Sequence, residues 1–350
     1  MKIAIHHRDE GFSSSWIKYC KEHEIDYKIV NCYNTDIVDQ LADCDALMWH
    51  FHQANCRDAL FAKQLLFSLQ TAGKVVFPDF NTAWSFDDKV GQKYLLEAVN
   101  APLVSSFVFY EKEKAMEWIG NSSFPKVFKL RTGSASSHVK LVKDKKSAAK
   151  LVNQAFGRGF RHYEPGSNLK ERWRKFRTGQ STWPDLVKGI LRFGHTTDFD
   201  RIIGKERGYI YFQEFIDGNE YDIRIIVIDG KACAVKRLNR KDDFRASGSG
   251  ILLYEKEHFD ERLIRKALEL SDRLGSKSLA LDCIYKEDEP LFVELSYGFP
   301  AGPFIDDCHG YWDREMIWHE GPFDALGWMV EAVVKKIRKK VDGRVKVKVK

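Results

Sequence analysis

Over the first ninety residues, short apolar runs alternate with segments whose apolar positions recur at helical spacing. The runs are KIAIHH (2–7), YKIVNC (27–32), DALMWHFH (45–52) and KVVFP (74–78). Between them, 11–24 and 57–72 carry the helix period, the second through Leu60, Phe61, Leu65, Leu66 and Leu69, with Gly73 as its stop. Strand and helix in strict alternation predict βαβ units, hence an open parallel sheet with helices on both faces.

The texture changes near residue 85. A helix is predicted over 87–98, then Pro102 and a strand, then a helix over 112–120. VFKL (127–130) reads as a strand that stops at Arg131-Thr132-Gly133-Ser134 and returns through HVKLV (138–142) as a hairpin. Residues 157–208 break the pattern. They are basic and aromatic with Gly and Pro punctuation, and without a sheet on which bases could stack they predict a helical insertion and not a nucleic-acid platform. Beyond them lie YIYFQEFIDG (209–218), EYDIRIIVIDGKACAVKRLNR (220–240), a helix over 260–274, and the pair LALDCIY and PLFVELSYGFP. Asp217-Gly218 and Asp229-Gly230 are predicted hairpin turns, and the whole region is predicted as an antiparallel sheet with helices on one face. The fold class is therefore α/β followed by α+β.

Composition narrows the setting. Of 350 residues, 44% are hydrophobic and 30% charged, and no apolar run reaches the ~18 residues a membrane span needs. The N-terminus reads as a first strand and not a leader, which predicts a cytoplasmic protein. KKIRKKVDGRVKVKVK (335–350) contributes +8 to a net charge of +6, leaving −2 for the rest, so it is expected to be a solvated basic tail. The seven cysteines form no CxxC pair and are expected as reduced thiols. No GxGxxG follows the first strand, which argues against a dinucleotide site there. His6, His7, His50 and His52 fall at strand ends, where they fit either the lining of a cleft or half-exposed positions of no consequence.

Two carboxylates carry the chemistry. Asp282 and Glu294 each stand in the middle of an apolar strand, on either side of the turn KEDEP. A carboxylate buried alone is costly, so the two either make a hard oxygen site suited to Mg²⁺ on adjacent strands, or one of them pairs with a buried arginine or caps a loop. Lys89, Lys129, Arg237 and Arg245 offer positive charge for a polyphosphate, and RTGSASS (131–137) offers backbone N–H groups.

In their order, these elements resemble the ATP-grasp superfamily, above all the ribosomal protein S6 glutamate-adding ligases and related carboxylate–amine ligases. The resemblance spans roughly 85–300, apart from the insertion, through Asp88-Lys89, Pro125, Val127, Lys129, Gly133, Ser134, Val139, FQEFIDGNEYDIR, KRLNRKDDFRASG and LD…VEL. It implies a Rossmann-like pre-ATP-grasp domain at 1–84, an N-terminal ATP-grasp subdomain at 85–212 carrying the insertion, and a C-terminal subdomain at 213–334. The two subdomains would form the nucleotide cleft. Lys89, Lys129 and Ser134 would meet the phosphates of ATP, with adenine on Gln213, Glu214, Phe215 and Ile216 and ribose on Glu220 or Asp222. Arg237 and Arg245 would join Lys129 in catalysis. Asp282 and Glu294, with Ser296 where the family usually has Asn, would hold two Mg²⁺, or Mn²⁺ in their place. Ser136 and His138 replace family glycines in the phosphate loop.

The reaction so implied joins a small-molecule or peptide carboxylate to an amine through an acyl phosphate. A kinase-like phosphoryl transfer and a degenerate nucleotide-binding module are the alternatives. Such ligases are often homodimers. The aromatic loop 296–321 would either recognise the acceptor or cover the sheet.

Overall fold

In this computed structural model the described residues are 1–133, 138–162, 198–239 and 251–348, with Trp173, Phe176 and Trp183. They fall into two compact units, one of Met1–His52, Phe61–Val104 and Ile216–Lys350, the other of Gln53–Leu60 and Ser105–Phe215.

The first unit holds two sheets. Strands β1 (Lys2–His6), β2 (Asp26–Val30), β3 (Ala46–Met48) and β4 (Val75–Phe77) are all parallel, in the order β2-β1-β3-β4. Because side chains alternate along a strand, Ile3, Ile5, Met48 and Phe77 pack on Trp16 and Cys20 of the helix Ser13–Glu22, while Ala4, Leu47 and Val76 pack on Ala62 and Leu66 of the helix Cys56–Thr71. The expected helices on both faces are present.

The second sheet uses β9 (Tyr221–Ile228), β10 (Lys231–Leu238), β11 (Leu252–Leu253), β12 (Ser278–Lys286), β13 (Glu289–Ser296), β14 (Gly310–Trp312) and β15 (Trp318–Glu320). Its order is β13-β12-β9-β10-β14-β15, with β11 on β10, and its ladders are antiparallel. The helix Glu261–Leu274 covers one face, setting Leu263, Ile264, Ala267 and Leu270 on Ile223, Ile225, Val227, Leu279 and Leu281. Asp260 caps its start by accepting from the Arg262 N–H at 2.8 Å, and Gly275 ends it in the left-handed region at φ +64°.

The basic tail is not a solvated tail throughout. A helix runs over Ala325–Lys348, and its residues Met329, Val330, Val333, Val334 and Ile337 are buried against the parallel sheet and the helix Ser13–Glu22. Lys335 and Lys336 pair with Asp229 at 3.1 Å and Asp79 at 2.8 Å. The apolar stripe at helical spacing continues through Ile337, and counting charges alone concealed it. Val341 is exposed, so the packed part ends before it.

The second unit is built on β5 (Ser106–Phe109), β6 (Lys126–Lys129), β7 (Lys140–Val142) and β8 (Ile210–Glu214), antiparallel in the order β5-β8-β6-β7. The β6–β7 hairpin pairs Lys126 with Val142, as the alternation predicted. Helices Lys112–Asn121 and Lys145–Ala155 bury Ala115, Ile119, Ala148 and Val152 on Phe128, Leu130 and Phe212.

One predicted hairpin is absent. Asp229-Gly230 does join β9 to β10, with Ile228 opposite Lys231. Asp217-Gly218 instead lies between β8 and β9, which belong to different sheets. Gly218, at φ +81°, turns the chain, but a turn does not choose the strand's partner. All seven cysteines are free thiols. No described helix is long and apolar enough to cross a membrane.

Candidate active site

Neighbouring strands place opposed residues on the same face, so the register of the larger sheet assembles a row of charge. Glu294 on β13 lies opposite Asp282 on β12, and Asp282 lies opposite Arg224 on β9. One step along, Asp222 faces Arg237 on β10. The β12–β13 ladder shifts register between Asp282 and Cys283, an irregularity of the kind found beside active sites.

The side chains form two sets of ion pairs on this face. Arg224 donates from Nε to Asp282 Oδ1 at 2.7 Å and from Nη2 to Oδ2 at 2.8 Å. Arg237 grips Asp222 in the same bidentate manner, 2.6 Å at each contact, and its Nη2 lies 3.1 Å from Asp282 Oδ1. Lys89 Nζ stands 3.1 Å from Glu294 Oε1. Lys89 reaches this point because Asp88 caps its helix, Lys89–Ala98, through the Gly91 N–H at 2.9 Å, and Gln92 of that helix accepts from the Leu295 N–H at 3.2 Å. Three cations and three carboxylates thus meet with no net charge.

Burial pushes the Asp282 carboxyl up, but the guanidinium charges of Arg224 and Arg237 outweigh it and hold the group well below the usual carboxylate range. Burial raises Asp222, and Arg237 offsets only part of that rise while Asp282 adds to it. Burial acts to lower Arg237, yet Asp282 and Asp222 together hold it more firmly protonated than usual.

Asp282 and Glu294 are hard oxygen donors opposite each other, of the type that can hold Mg²⁺, but both Asp282 oxygens accept from Arg224 and Glu294 Oε1 pairs with Lys89, so the pairing of a carboxylate with a buried arginine is also present. Among the described residues no group of three His, Cys, Asp or Glu side chains converges as a metal cage. Ser296 sits on the same strand, but its hydroxyl donates to the Gly298 carbonyl at 2.6 Å and accepts from the Gly298 N–H at 3.1 Å. Its oxygen is occupied in closing a turn.

The remaining predicted residues are dispersed. Lys129 is buried at the end of β6, opposite Tyr211. Gln213 is buried in β8 and donates to Ser106 Oγ at 3.1 Å, while Glu214 accepts from Lys126 Nζ at 2.6 Å. Phe215 ends the second unit and Ile216 resumes the first. Glu220 is exposed, whereas Asp222 is turned onto Arg237. Ser134, Ser136 and Arg245 lie outside the described residues.

The strand-end histidines separate into different roles. His6 is buried and accepts the Cys32 N–H at 3.0 Å, a core contact. His50 stacks on Phe12 with centroids 3.8 Å apart and accepts the Phe12 N–H on Nδ1 at 3.2 Å. Burial, then the charges of Arg8 and His52, push its pKa down to about 3. His7 meets Ser13 Oγ at 3.2 Å. In the loop after β13, Tyr297, Phe299 and Trp312 are buried, so these three aromatics cover the core.

Three residues that complete these contacts escaped the sequence reading. Arg224 could have been found from the two-residue period of DIRI, which puts it on the face of Asp222. Lys126, three residues before Lys129 on β6 and so on the opposite face, was not singled out. Glu206, whose carboxylate accepts from the Arg131 and Thr132 N–H groups at 3.2 Å, carried no signal at all.

Residues 196–299 match the RimK-like ATP-grasp domain. The α-aminoadipate–LysW ligase LysX of Saccharolobus solfataricus is 23% identical over 282 residues, covering 79% of this chain and 85% of that protein. Among solved structures, D-cycloserine synthetase DcsG superposes with a TM-score of 0.58 at 10% identity, over 96% of this chain and 100% of its own. A RimK domain ATP-grasp protein of Sphaerobacter thermophilus gives 0.54 at 16% identity, over 84% and 90%. At these identities the structural likeness is one of fold.

Proposed function

We infer, from the match of residues 196–299 to the RimK-like ATP-grasp domain and the likeness of the fold to ATP-grasp structures, that this chain is an ATP-dependent carboxylate–amine ligase. The observation that carries this reading is the row Glu294–Asp282–Arg224 with Arg237 beside it, carboxylates for a metal and guanidinium groups for phosphate on one sheet face. The parallel sheet is assigned to the pre-ATP-grasp domain, the β5–β8 sheet to the N-terminal subdomain and the seven-stranded sheet to the C-terminal one.

Asp282 and Glu294 would hold Mg²⁺, which would supply charge neutralisation to the bound triphosphate. Lys89 and Lys129 bind phosphate oxygens, and Arg237 stabilises charge on the transferring group, as does Arg245. An oxygen of the substrate carboxylate attacks the γ-phosphorus, the bond to the β-phosphate oxygen breaks, and ADP leaves with that electron pair. The amine then attacks the acyl carbon; phosphate leaves with the C–O electrons, and the nitrogen gives up a proton to yield the amide. Gln213 to Ile216 receive adenine, and Asp222 or Glu220 the ribose.

The acid and the amine are small molecules or peptides. Seven free thiols support a reducing, cytoplasmic setting, and assembly as a homodimer rests on the family resemblance. Screening pooled acids and amines for ADP release, with mass detection of the product, tests the reading. ADP formed only when both are supplied is the expected result, and ADP formed with a hydroxyl acceptor alone would make it a kinase. The Ser296 hydroxyl, committed to Gly298, favours the second reading of a nucleotide-binding module, which ATP binding without turnover on any pair would establish.

A further inference from the structure

The loop that leaves β6 and the two stems of the basic insertion converge on a single buried carboxylate, Glu206, which is 7% exposed. Its Oε2 accepts from the Arg131 N–H at 3.2 Å and from the Tyr209 hydroxyl. Its Oε1 accepts from the Thr132 N–H at 3.2 Å and from the Thr132 hydroxyl. Arg131 and Thr132 open the connection that the resemblance assigns to phosphate binding. The loop's far end is tied to the same place. His138, at φ +60°, donates from Nε2 to the His162 carbonyl at 2.6 Å, and His162 Nδ1 lies 3.2 Å from Thr132 Oγ1 and 3.7 Å from Glu206.

The insertion closes here as well. The backbone of Glu206 exchanges two 2.9 Å hydrogen bonds with Phe160, and the His162 N–H donates to Asp200 Oδ1 at 2.7 Å. Gly159, at φ +72°, is required by this contact, because a Cβ there would stand 2.8 Å from the Glu206 carbonyl oxygen. A carboxylate that satisfies two amides and two hydroxyls at a loop's entrance determines where the chain points as it departs, since each donor left unpaired in a buried site is costly. The Arg131 and Thr132 amides are therefore taken up by Glu206.

We propose that Glu206 is a positioning residue for the nucleotide, fixing both ends of the phosphate loop and so setting ATP affinity without touching ATP. This rests on the ligase reading above. Glu206→Gln puts an NH₂ donor against an existing donor on one side, and is expected to raise the KM and Kd for ATP by roughly 10- to 100-fold. At saturating ATP, kcat should stay within about threefold and the KM values for acid and amine should not move, because the loop's other contacts are intact. Thr132→Val removes one hydroxyl and should shift ATP affinity the same way by roughly fivefold; it decides the matter if Glu206→Gln does not fold. Binding is read with a fluorescent ATP analogue on the full chain. Folded variants that bind ATP as the wild type does, or that lose kcat at unchanged ATP KM, overturn the proposal. A wild type that binds no ATP would overturn the ligase reading instead.

Discussion

Arg224 and Asp282 stand opposite each other on β9 and β12 and are joined by two parallel hydrogen bonds of 2.7 and 2.8 Å. The pair lies 58 residues apart in sequence, and it links a strand rich in isoleucine to the carboxylate best placed for a metal. Arg224→Met would leave Asp282 with Arg237 alone. Breaking a fully buried pair costs ~3–5 kcal/mol, and because both side chains are about one-fifth exposed the expected loss is smaller, roughly 2 kcal/mol. Urea unfolding at pH 7 checks it, and a variant as stable as the wild type would mean that the contact contributes nothing to the fold.

The two carboxylates predict a shared metal dependence. Asp282→Asn and Glu294→Gln should each raise the Mg²⁺ concentration for half-maximal ADP release at least ~10-fold, since either change removes a charged ligand from an ion that has only two from the protein. Lys89→Met should act in the opposite sense on the metal and adversely on the nucleotide. Glu294 loses its 3.1 Å partner and becomes a freer ligand, while ATP loses a cation. Magnesium and ATP titrations on the three variants separate these effects; equal curves for all of them would remove the site assignment.

His50 predicts a pH signature. In the fold it stays neutral down to about pH 3, whereas the unfolded chain takes up a proton near 6.5. Between those values the unfolded state binds more protons, so stability falls as the pH drops from 6.5 towards 3, by at most ~1.4 kcal/mol per unit from this group. Above 6.5 its effect is fully present and constant. His50→Asn keeps an acceptor for the Phe12 N–H but cannot titrate, so its stability should be flatter across that window. Parallel pH curves for the two proteins would contradict the assignment.

Much of this architecture was legible because side-chain period is a direct image of burial. The βαβ alternation over 2–78 became a parallel sheet, and the alternation around Asp282 and Glu294 became a hairpin that sets them opposite each other. What escaped was whatever depends on pairing between distant strands. The period places Arg224 on the face of Asp222, but only the register with β12 reveals Asp282 beside it. Glu206 lies in a connection with no period, and its partners are 74 and 75 residues away. The turn at Asp217-Gly218 was read correctly as a turn and wrongly as a hairpin, since local geometry carries no information about which sheet comes next.

The C-terminal helix gives the last test, because net charge and packing predict opposite outcomes for it. As a solvated tail, 335–350 could be removed without effect. In the structure Ile337 is 4% exposed within the core shared by β1, β3 and β4, and Lys335 and Lys336 close ion pairs with Asp229 and Asp79. Ile337→Ala should therefore destabilise the protein by about 2–4 kcal/mol, in the range of buried Ile truncations. Truncation after Val334 should cost at least as much, and truncation after Lys340 should cost little because Val341 is already exposed. Thermal unfolding of the three proteins orders them. If truncation after Val334 melts with the wild type, the packing of Ile337 and the ion pairs of Lys335 and Lys336 contribute no stability.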